Sequence, residues 1–407
     1  MKQGWETKKL GDVIQKTETI DPAKNPDIEF TYIDVSSVNN KDFFIESGTL
    51  LKGKDAPSRA RKLIKTNDVI FATVRPTLKR IAIVEKEFDK QVCSTGYFVF
   101  RTKEVLHNRL LFYFLLSDNF NREMEKLQKG ASYPAVTDSE VRNQVISFPK
   151  SLPEQHRIVA ILEEVFASIT KAKANAEQNL KNAKELFEAL CHKELWFKCK
   201  DYPRKVLSEI VDLNRGGVKI GPFGSVLKIH ELVDNGDARV LYIENIVNNK
   251  FDWEKEKRIT SEKFNELRSY EVFSGDVLIT IMGTIGRTAI VPKNLGRSII
   301  SSHLIKITPN PKLITSEFLN YSLNLNPSVV QQLFGQAKGA IMKGINSTII
   351  KNLLIPLPPL KEQMITVNLL DVYRKETQRL ETIYQRKLND LEELKKSVLQ
   401  KAFNGEL

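Results

Sequence analysis

Two stretches decide the fold: Phe148-Pro149-Lys150-Ser151-Leu152-Pro153-Glu154-Gln155 and Pro356-Leu357-Pro358-Pro359-Leu360-Lys361-Glu362-Gln363. In each, prolines mark a boundary beside Leu-x-Glu-Gln, and the forty or so residues that follow are almost free of Gly and Pro. Proline suits the first turn of a helix, where its missing N–H would have no partner. Glutamate there complements the positive end of the helix dipole. The reading is two long helices, over residues 154 to about 195 and 361 to about 403.

Their apolar residues fall on heptads. In the first helix Leu162, Ile169, Ala176, Ala183 and Leu190 form one track. Ile158, Val165, Ala172 and Leu186 form the second, broken by Asn179. In the second helix the tracks are Tyr384, Leu391 and Val398, and Tyr373, Leu380 and Leu394, with Lys387 interrupting. Paired tracks make a seam that requires a partner helix. At 1.5 Å per residue such a helix is about 63 Å long, more than a small domain needs for its core. Packing of the two helices on one another, antiparallel, is the simplest solution. Folding back on the preceding domain and dimerisation between chains are the alternatives.

Working outward, the rest of the chain also repeats. Asn67-Asp68-Val69-Ile70 is echoed by Gly275-Asp276-Val277-Leu278, and Arg80-Ile81-Ala82-Ile83-Val84 by Arg287-Thr288-Ala289-Ile290-Val291. Lys129-Gly130-Ala131 returns as Lys338-Gly339-Ala340, Glu154-Gln155 as Glu362-Gln363, and Tyr32-Ile33-Asp34 more weakly as Tyr242-Ile243-Glu244. The echoes keep their order at offsets of 207 to 210. A period of half the chain is far longer than a solenoid repeat and means a duplicated domain with its connector. Each half opens with short β-type runs, among them Val69–Val74, Ile81–Val84, Tyr97–Phe100, Val277–Met282 and Leu304–Thr308, divided by turn residues. A shorter helical piece follows, residues 108–129 and 316–334, before the proline boundary.

The 407 residues suit two or more domains, and the net charge of +12 favours a polyanionic partner. The amino terminus has no signal-like apolar core, and the longest apolar run, Leu110 to Leu116, falls far short of a membrane span. A cytoplasmic location is expected, and three scattered cysteines fit it.

The order of these motifs resembles the specificity subunits of Type I restriction–modification systems, and the resemblance covers essentially the whole chain. It rests on the Leu-x-Glu-Gln helix starts and on His156-Arg157-Ile158-Val159-Ala160-Ile161-Leu162. It also rests on Gly221-Pro222-Phe223-Gly224-Ser225, Gly283-Thr284-Ile285-Gly286 and Ala402-Phe403-Asn404-Gly405-Glu406-Leu407. The first half departs: it lacks Gly-Pro-x-Gly-Ser and has Val74-Arg75-Pro76-Thr77 where the second has Met282-Gly283-Thr284. The resemblance implies an α+β chain of two duplicated α/β target recognition domains, joined and spaced by two long helices packed as an antiparallel coiled coil. The domains would span residues 1–152 and 199–359, the helices 153–198 and 360–407. It implies double-stranded DNA as ligand, with a bipartite target, and two methyltransferase subunits and restriction (motor) subunits as partners. S-adenosylmethionine, ATP and Mg would belong to those partners, with no cofactor in this chain.

The residues themselves offer no catalytic centre. There is no Asn/Asp-Pro-Pro-aromatic motif, and Gly339–Gly344 has phosphate-loop glycine spacing but continues with Ile345. The five histidines stand apart, and Cys191-His192 with Cys199 lacks four-ligand spacing for zinc.

DNA contact is expected on the basic loops. The first half supplies Lys54, Arg59, Arg61, Lys62, Arg75, Lys79 and Arg80; the second supplies Arg215, Lys219, Phe223, Ser225, Lys228, Thr284 and Arg287. Cations on loops reach phosphates or guanine edges, whereas a merely solvated loop is the plainer alternative. The matched segments before each helix boundary add Lys129, Tyr133, Lys338 and Lys343. Ser94, Ser301 and His303, where matched strands begin, could read base edges or simply cap strand ends. A coiled-coil scaffold whose globular ends bind proteins is the rival reading; it has no need of basic glycine-containing loops.

Overall fold

The structure is a computed structural model that describes residues 3–224, 226–335 and 345–407. Ser225, Lys338 and Lys343 therefore lie outside the described residues. Two compact units emerge, one of residues 1–177 with 385–407, the other of residues 178–384.

The first unit is built on Val69–Ala72, which lies between Ile81–Ile83 and Tyr97–Phe100 in an antiparallel sheet. Its four side chains are all buried because both faces are covered. Val69 and Phe71 point into the core shared with the helices Asn108–Leu116 and Asp118–Leu127, while Ile70 and Ala72 point into a second core. That alternation is the two-residue period of a strand. A second sheet orders Thr49–Lys52, Glu29–Ile33, Val92–Ser94 and Ala60–Leu63, its middle pair parallel. Trp5–Lys9 pairs antiparallel with Val145–Pro149, which leads into the first long helix.

The second unit repeats the plan. Val277–Thr280 lies between Leu304–Ile307 and Thr288–Ile290, and Val218–Ile220 adds a strand on the far side of Leu304–Ile307. Ser316–Leu325 and Pro327–Phe334 are its covering helices, and Arg204–Val206 pairs with Leu354–Pro356 ahead of the second long helix.

The repeated motifs are structural joints. Gln155 is fully buried; its Oε1 accepts from the His107 N–H at 2.8 Å, and its Nε2 donates to the carbonyls of Val105 and Pro149, each at 2.8 Å. Gln363 does the same with the Thr315 N–H and the carbonyls of Leu313 and Pro358, at 2.9, 2.9 and 2.8 Å. Each glutamine ties the helix start to the domain before it. Asp68 and Asp276 are likewise buried at the head of the central strand. Arg101 grips Asp68 with two bonds of 2.9 and 2.8 Å. Asp276 instead has the buried Lys306 at 3.9 Å, and burial raises the Asp276 carboxyl and lowers the Lys306 ammonium from their ordinary values.

The long helices run Leu152–His192, continued by a π-helical turn at Lys193–Phe197, and Leu360–Asn404. They are antiparallel. In the first unit Arg157 bonds the Leu407 carbonyl at 2.8 Å and Lys173 pairs with Glu392 at 2.7 Å. In the second, Arg374 lies over Phe187, and Cys191 and Leu195 share a core with Val367 and Leu370. Leu162, Ile169, Ala176 and Ala183 are buried, and Leu190, Leu380, Tyr384, Leu391 and Val398 half-buried. Leu394 and Leu186 differ from the expected tracks: both are 46% exposed. A straight helix drifts about 20° per heptad against a 3.5-residue repeat. Leu388 and Lys395 are half-buried and Ala402 is buried, so the second track runs one residue later than the sequence pattern.

Candidate nucleic-acid interface

In both units the central strand ends where the next strand of the repeat begins, and loops gather there. In the first unit Ala72 lies opposite Tyr97, so Thr73–Arg75 leaves the sheet beside the entering Ser94–Gly96. Thr73 N–H donates to the Gly96 carbonyl at 2.8 Å. The segment 129–136 folds alongside: Val74 bridges Ala135, and the Arg75 N–H donates to the Pro134 carbonyl at 2.7 Å. Arg59 joins through its carbonyl, which accepts from the Thr95 N–H at 2.8 Å. One surface thus carries Arg59, Thr95, Arg75, Lys129 and Tyr133.

Arg75 lies 4.9 Å from the centre of the Tyr133 ring, which is 71% exposed, and holds a left-handed conformation (φ 49°). Such a φ costs a non-glycine residue of order 1 kcal/mol and clusters at functional sites. The stack offers a flat cationic and aromatic surface at the loop tip. Arg59 and Lys54 are exposed, and no side-chain bond or ion pair restrains either among the described residues. Lys129 is also exposed, 3.3 Å from Glu140. The Thr137 N–H and hydroxyl hold that Glu140 carboxyl below its ordinary value.

The other candidate cations of the first half, Lys62, Arg80, Arg61 and Lys79, have structural partners. Lys62 donates to the Tyr97 carbonyl at 2.6 Å and pairs with Asp138 at 3.1 Å. Arg80 binds the carbonyls of Val35, Ser36 and Val38 at 3.1, 2.9 and 2.8 Å. Arg61 pairs with Asp21, and Lys79 with Asp118 at 3.7 Å. Ser94 is buried, its hydroxyl accepting from the Gly96 N–H at 3.2 Å, and Thr95 is the residue that faces out.

In the second unit Thr280 lies opposite Leu304, and Ile220 opposite Ile305, so two strands leave the sheet at the same end. Gly221–Gly224 and Ile281–Arg287 therefore flank Ser301–His303. The Ile281 N–H donates to the His303 carbonyl at 3.0 Å, and the Gly221 N–H to the Leu304 carbonyl at 3.1 Å. Gly221 is required: a Cβ there would sit 2.0 Å from the Ser301 carbonyl oxygen. This approach presents Phe223, 64% exposed, and Met282 and Thr284, also exposed, with Arg287 and His303 half-buried between them. Ser301 is buried, and Lys228 is exposed on the turn beyond Phe223. Arg215 and Lys219 are not brought to this surface. Arg215 precedes Val218 at the opposite end of its strand, over the Phe273 ring at 4.6 Å, and Lys219 lies 4.5 Å from the Tyr270 ring.

No group of three or more metal-binding side chains occurs among the described residues. Cys191 and Cys199 are buried, and burial pushes their thiols up to about 12 and about 11. No described helix is long and apolar enough to cross a membrane.

A family model described as the Type I restriction modification DNA specificity domain matches residues 2–181 and again 207–392. The chain belongs to that family. Among curated relatives, the specificity chain is 23% identical to the MjaVIII specificity subunit of Methanocaldococcus jannaschii over 95% of its own length and 92% of that subunit. It is 24% identical to the EcoBI specificity subunit of Escherichia coli, over 63% of this chain and 57% of that one. A solved chain from work on complex assembly and conformational transition of the type I R-M system matches with TM-score 0.85 at 28% identity, over 100% and 99% of the two chains. The HsdS subunit from Thermoanaerobacter tengcongensis matches with TM-score 0.68 at 28% identity, over 100% and 98%. The specificity chain thus has the α+β fold expected, with two recognition folds joined by antiparallel long helices.

Proposed function

We propose that each recognition fold reads one half of a bipartite duplex DNA target, and that the chain supplies this address to methyltransferase and motor-nuclease subunits without performing chemistry. The observation that carries this reading is the loop cluster at the same end of the same sheet in both units. Its exposed cations suit phosphates and guanine edges, and its exposed Tyr133, Phe223 and Met282 suit apolar contact with base edges and thymine methyl groups in the grooves. Arg59, Lys54 and Lys129 are the phosphate-contacting candidates in the first unit; Lys228 and Arg287 are those in the second. Lys62, Arg80, Arg61 and Lys79 serve the fold instead. S-adenosylmethionine, ATP and Mg belong to the partner subunits, with no cofactor in this chain.

Partner docking draws support from the outer face of the second long helix, where Met364, Ile365, Val372 and Ile383 are exposed, Met364 to 57%. Leu186 on the first helix is exposed as well. Apolar residues turned away from the helix pair are what a partner subunit would cover. The test is gel-shift binding of duplexes bearing the modified motif, with and without methyltransferase, at two salt concentrations. Sequence-specific binding that weakens with salt is expected; binding indifferent to sequence in both conditions overturns the reading.

A further inference from the structure

One cation of the second long helix lies against two aromatic rings, with no ion pair among the described residues. Lys395 is half-buried, its Nζ 4.8 Å from the centre of the Phe43 ring and 5.1 Å from that of Phe166. Phe166 lies on the first long helix, so the ammonium joins the two helices to the tip of a hairpin loop closed by the Val38–Ile45 bridge. No salt bridge to Lys395 occurs among the described residues. The charged groups that act on it are Glu392, Lys173, Lys79 and Asp42, and burial lowers its ammonium from its ordinary value. A charge kept there by ring faces gains more than an exposed one, because water no longer competes.

The hairpin tip is shaped to deliver its ring. The Asn39 side chain accepts from the Lys41 and Asp42 N–H groups at 2.8 and 3.0 Å, and the Phe43 N–H donates to the Asn39 carbonyl at 3.0 Å. Phe43 itself adopts φ 61°, a left-handed conformation unfavourable for an aromatic residue. The base of the same hairpin is what Arg80 grips through three carbonyls, and the Tyr97 hydroxyl donates to the Val35 carbonyl at 3.1 Å. Arg80 and Tyr97 flank the loops that carry Arg75 and Thr95. A continuous set of contacts therefore runs from the helix pair through the hairpin to the reading loops.

The second unit differs. Arg374 lies over Phe187 at 5.4 Å, but its second ring is Tyr321, at 4.7 Å, from a covering helix and not from a hairpin.

We propose that Phe43 and Lys395 are positioning residues: their stack with Phe166 clasps the hairpin to the helix pair and thereby sets the orientation of the first reading surface. The inference rests on the first unit reading one half-site. Its test uses the full chain with its methyltransferase partner, on duplexes carrying the modified motif and single-base mismatches in either half. Lys395→Met removes the charge, and Phe43→Gly removes the ring while suiting the left-handed backbone, so the hairpin still closes. Both variants should speed amide exchange at residues 39–45 and reduce discrimination against first-half mismatches, each by roughly tenfold. Second-half discrimination should hold, and Lys395→Arg should restore both readouts. Unchanged exchange refutes the clasp. Faster exchange with first-half discrimination intact, or equal loss in both halves, refutes the positioning role. A wild-type chain that discriminates neither half overturns the DNA reading itself, and the exchange measurement still tests the clasp.

Discussion

Replacing Gln155 by leucine tests whether the repeated Glu-Gln is a joint between domain and helix. The change keeps much of the side-chain volume and deletes three hydrogen bonds to backbone: one accepted from His107 and two donated, to Val105 and Pro149. Each net bond is worth about 1 kcal/mol, and a buried backbone group left without a partner costs about 1 to 3. The Pro149 bond is buried, so its carbonyl takes the full penalty; the other two are part-buried and recover some water. The total is roughly 3 to 5 kcal/mol, or more than a hundredfold in the local opening equilibrium at about 1.4 kcal/mol per tenfold. Gln155→Glu should be worse near neutral pH, because a carboxylate would then face two carbonyl oxygens. Native-state hydrogen exchange by mass spectrometry reads this on peptides covering 105–111 and 146–158. Peptides around 313–316 should be unmoved, since Gln363 holds them through its own set of bonds. A loss below about 1 kcal/mol, or equal losses in both places, would refute the joint.

Arg59→Ala should weaken DNA binding and lower the log–log salt slope by about 0.9 if it meets one phosphate; an unchanged slope with altered sequence preference would place it on a base edge. Arg80→Ala should lower stability rather than the salt slope, because it deletes three bonds and leaves the Ser36 and Val38 carbonyls without a donor, the Tyr97 hydroxyl still serving Val35, and thermal melting with salt-titrated binding separates the two. Glu18 is held at about 2 by Lys65 first and then Arg101. Its folded value lies below its unfolded one, so its contribution is present above the ordinary carboxylate range and lost as pH falls from there towards 2. Glu18→Gln should therefore flatten the acid limb of the stability profile, which chemical unfolding between pH 2 and 6 would record. Inserting four residues near Ala174–Ala176 adds about 6 Å and nearly keeps the seam in phase, so the modified motif should gain one or two base pairs of spacer with its half-sites intact. An active variant with the original spacer would contradict that.

Much of the fold was legible because helix starts and duplicated strands leave signals along the chain. Pro-flanked Leu-x-Glu-Gln marked both helix starts, and Asp68-Val69-Ile70 with its echo marked both central strands. The role of Gln155 was not legible, since its partners at Val105 and His107 lie about fifty residues away and are backbone groups. The heptad reading placed Leu186 and Leu394 in the seam because both are apolar at the right spacing; helical drift turns them outward. For the candidate site, charge alone could not separate Arg59 from Arg80. One has no side-chain partner among the described residues, and the other is spent on three carbonyls brought in from residues 35–38. Ser94 was the candidate from sequence, yet it is buried and Thr95 faces out, because which of two adjacent residues faces the core depends on strand register. Arg215 and Lys219 looked equivalent to the glycine-rich loop they precede, yet the strand Val218–Ile220 carries that loop to the opposite end.

The central claim is that two recognition folds read two separate parts of one target. Modified-base sequencing of a host carrying this chain and its methyltransferase partner tests it, repeated after residues 3–150 are exchanged for those of a relative with a different target. The expected result is a bipartite motif in which one part changes while the other part and the gap persist. A single contiguous motif, or a change in both parts together, would contradict it.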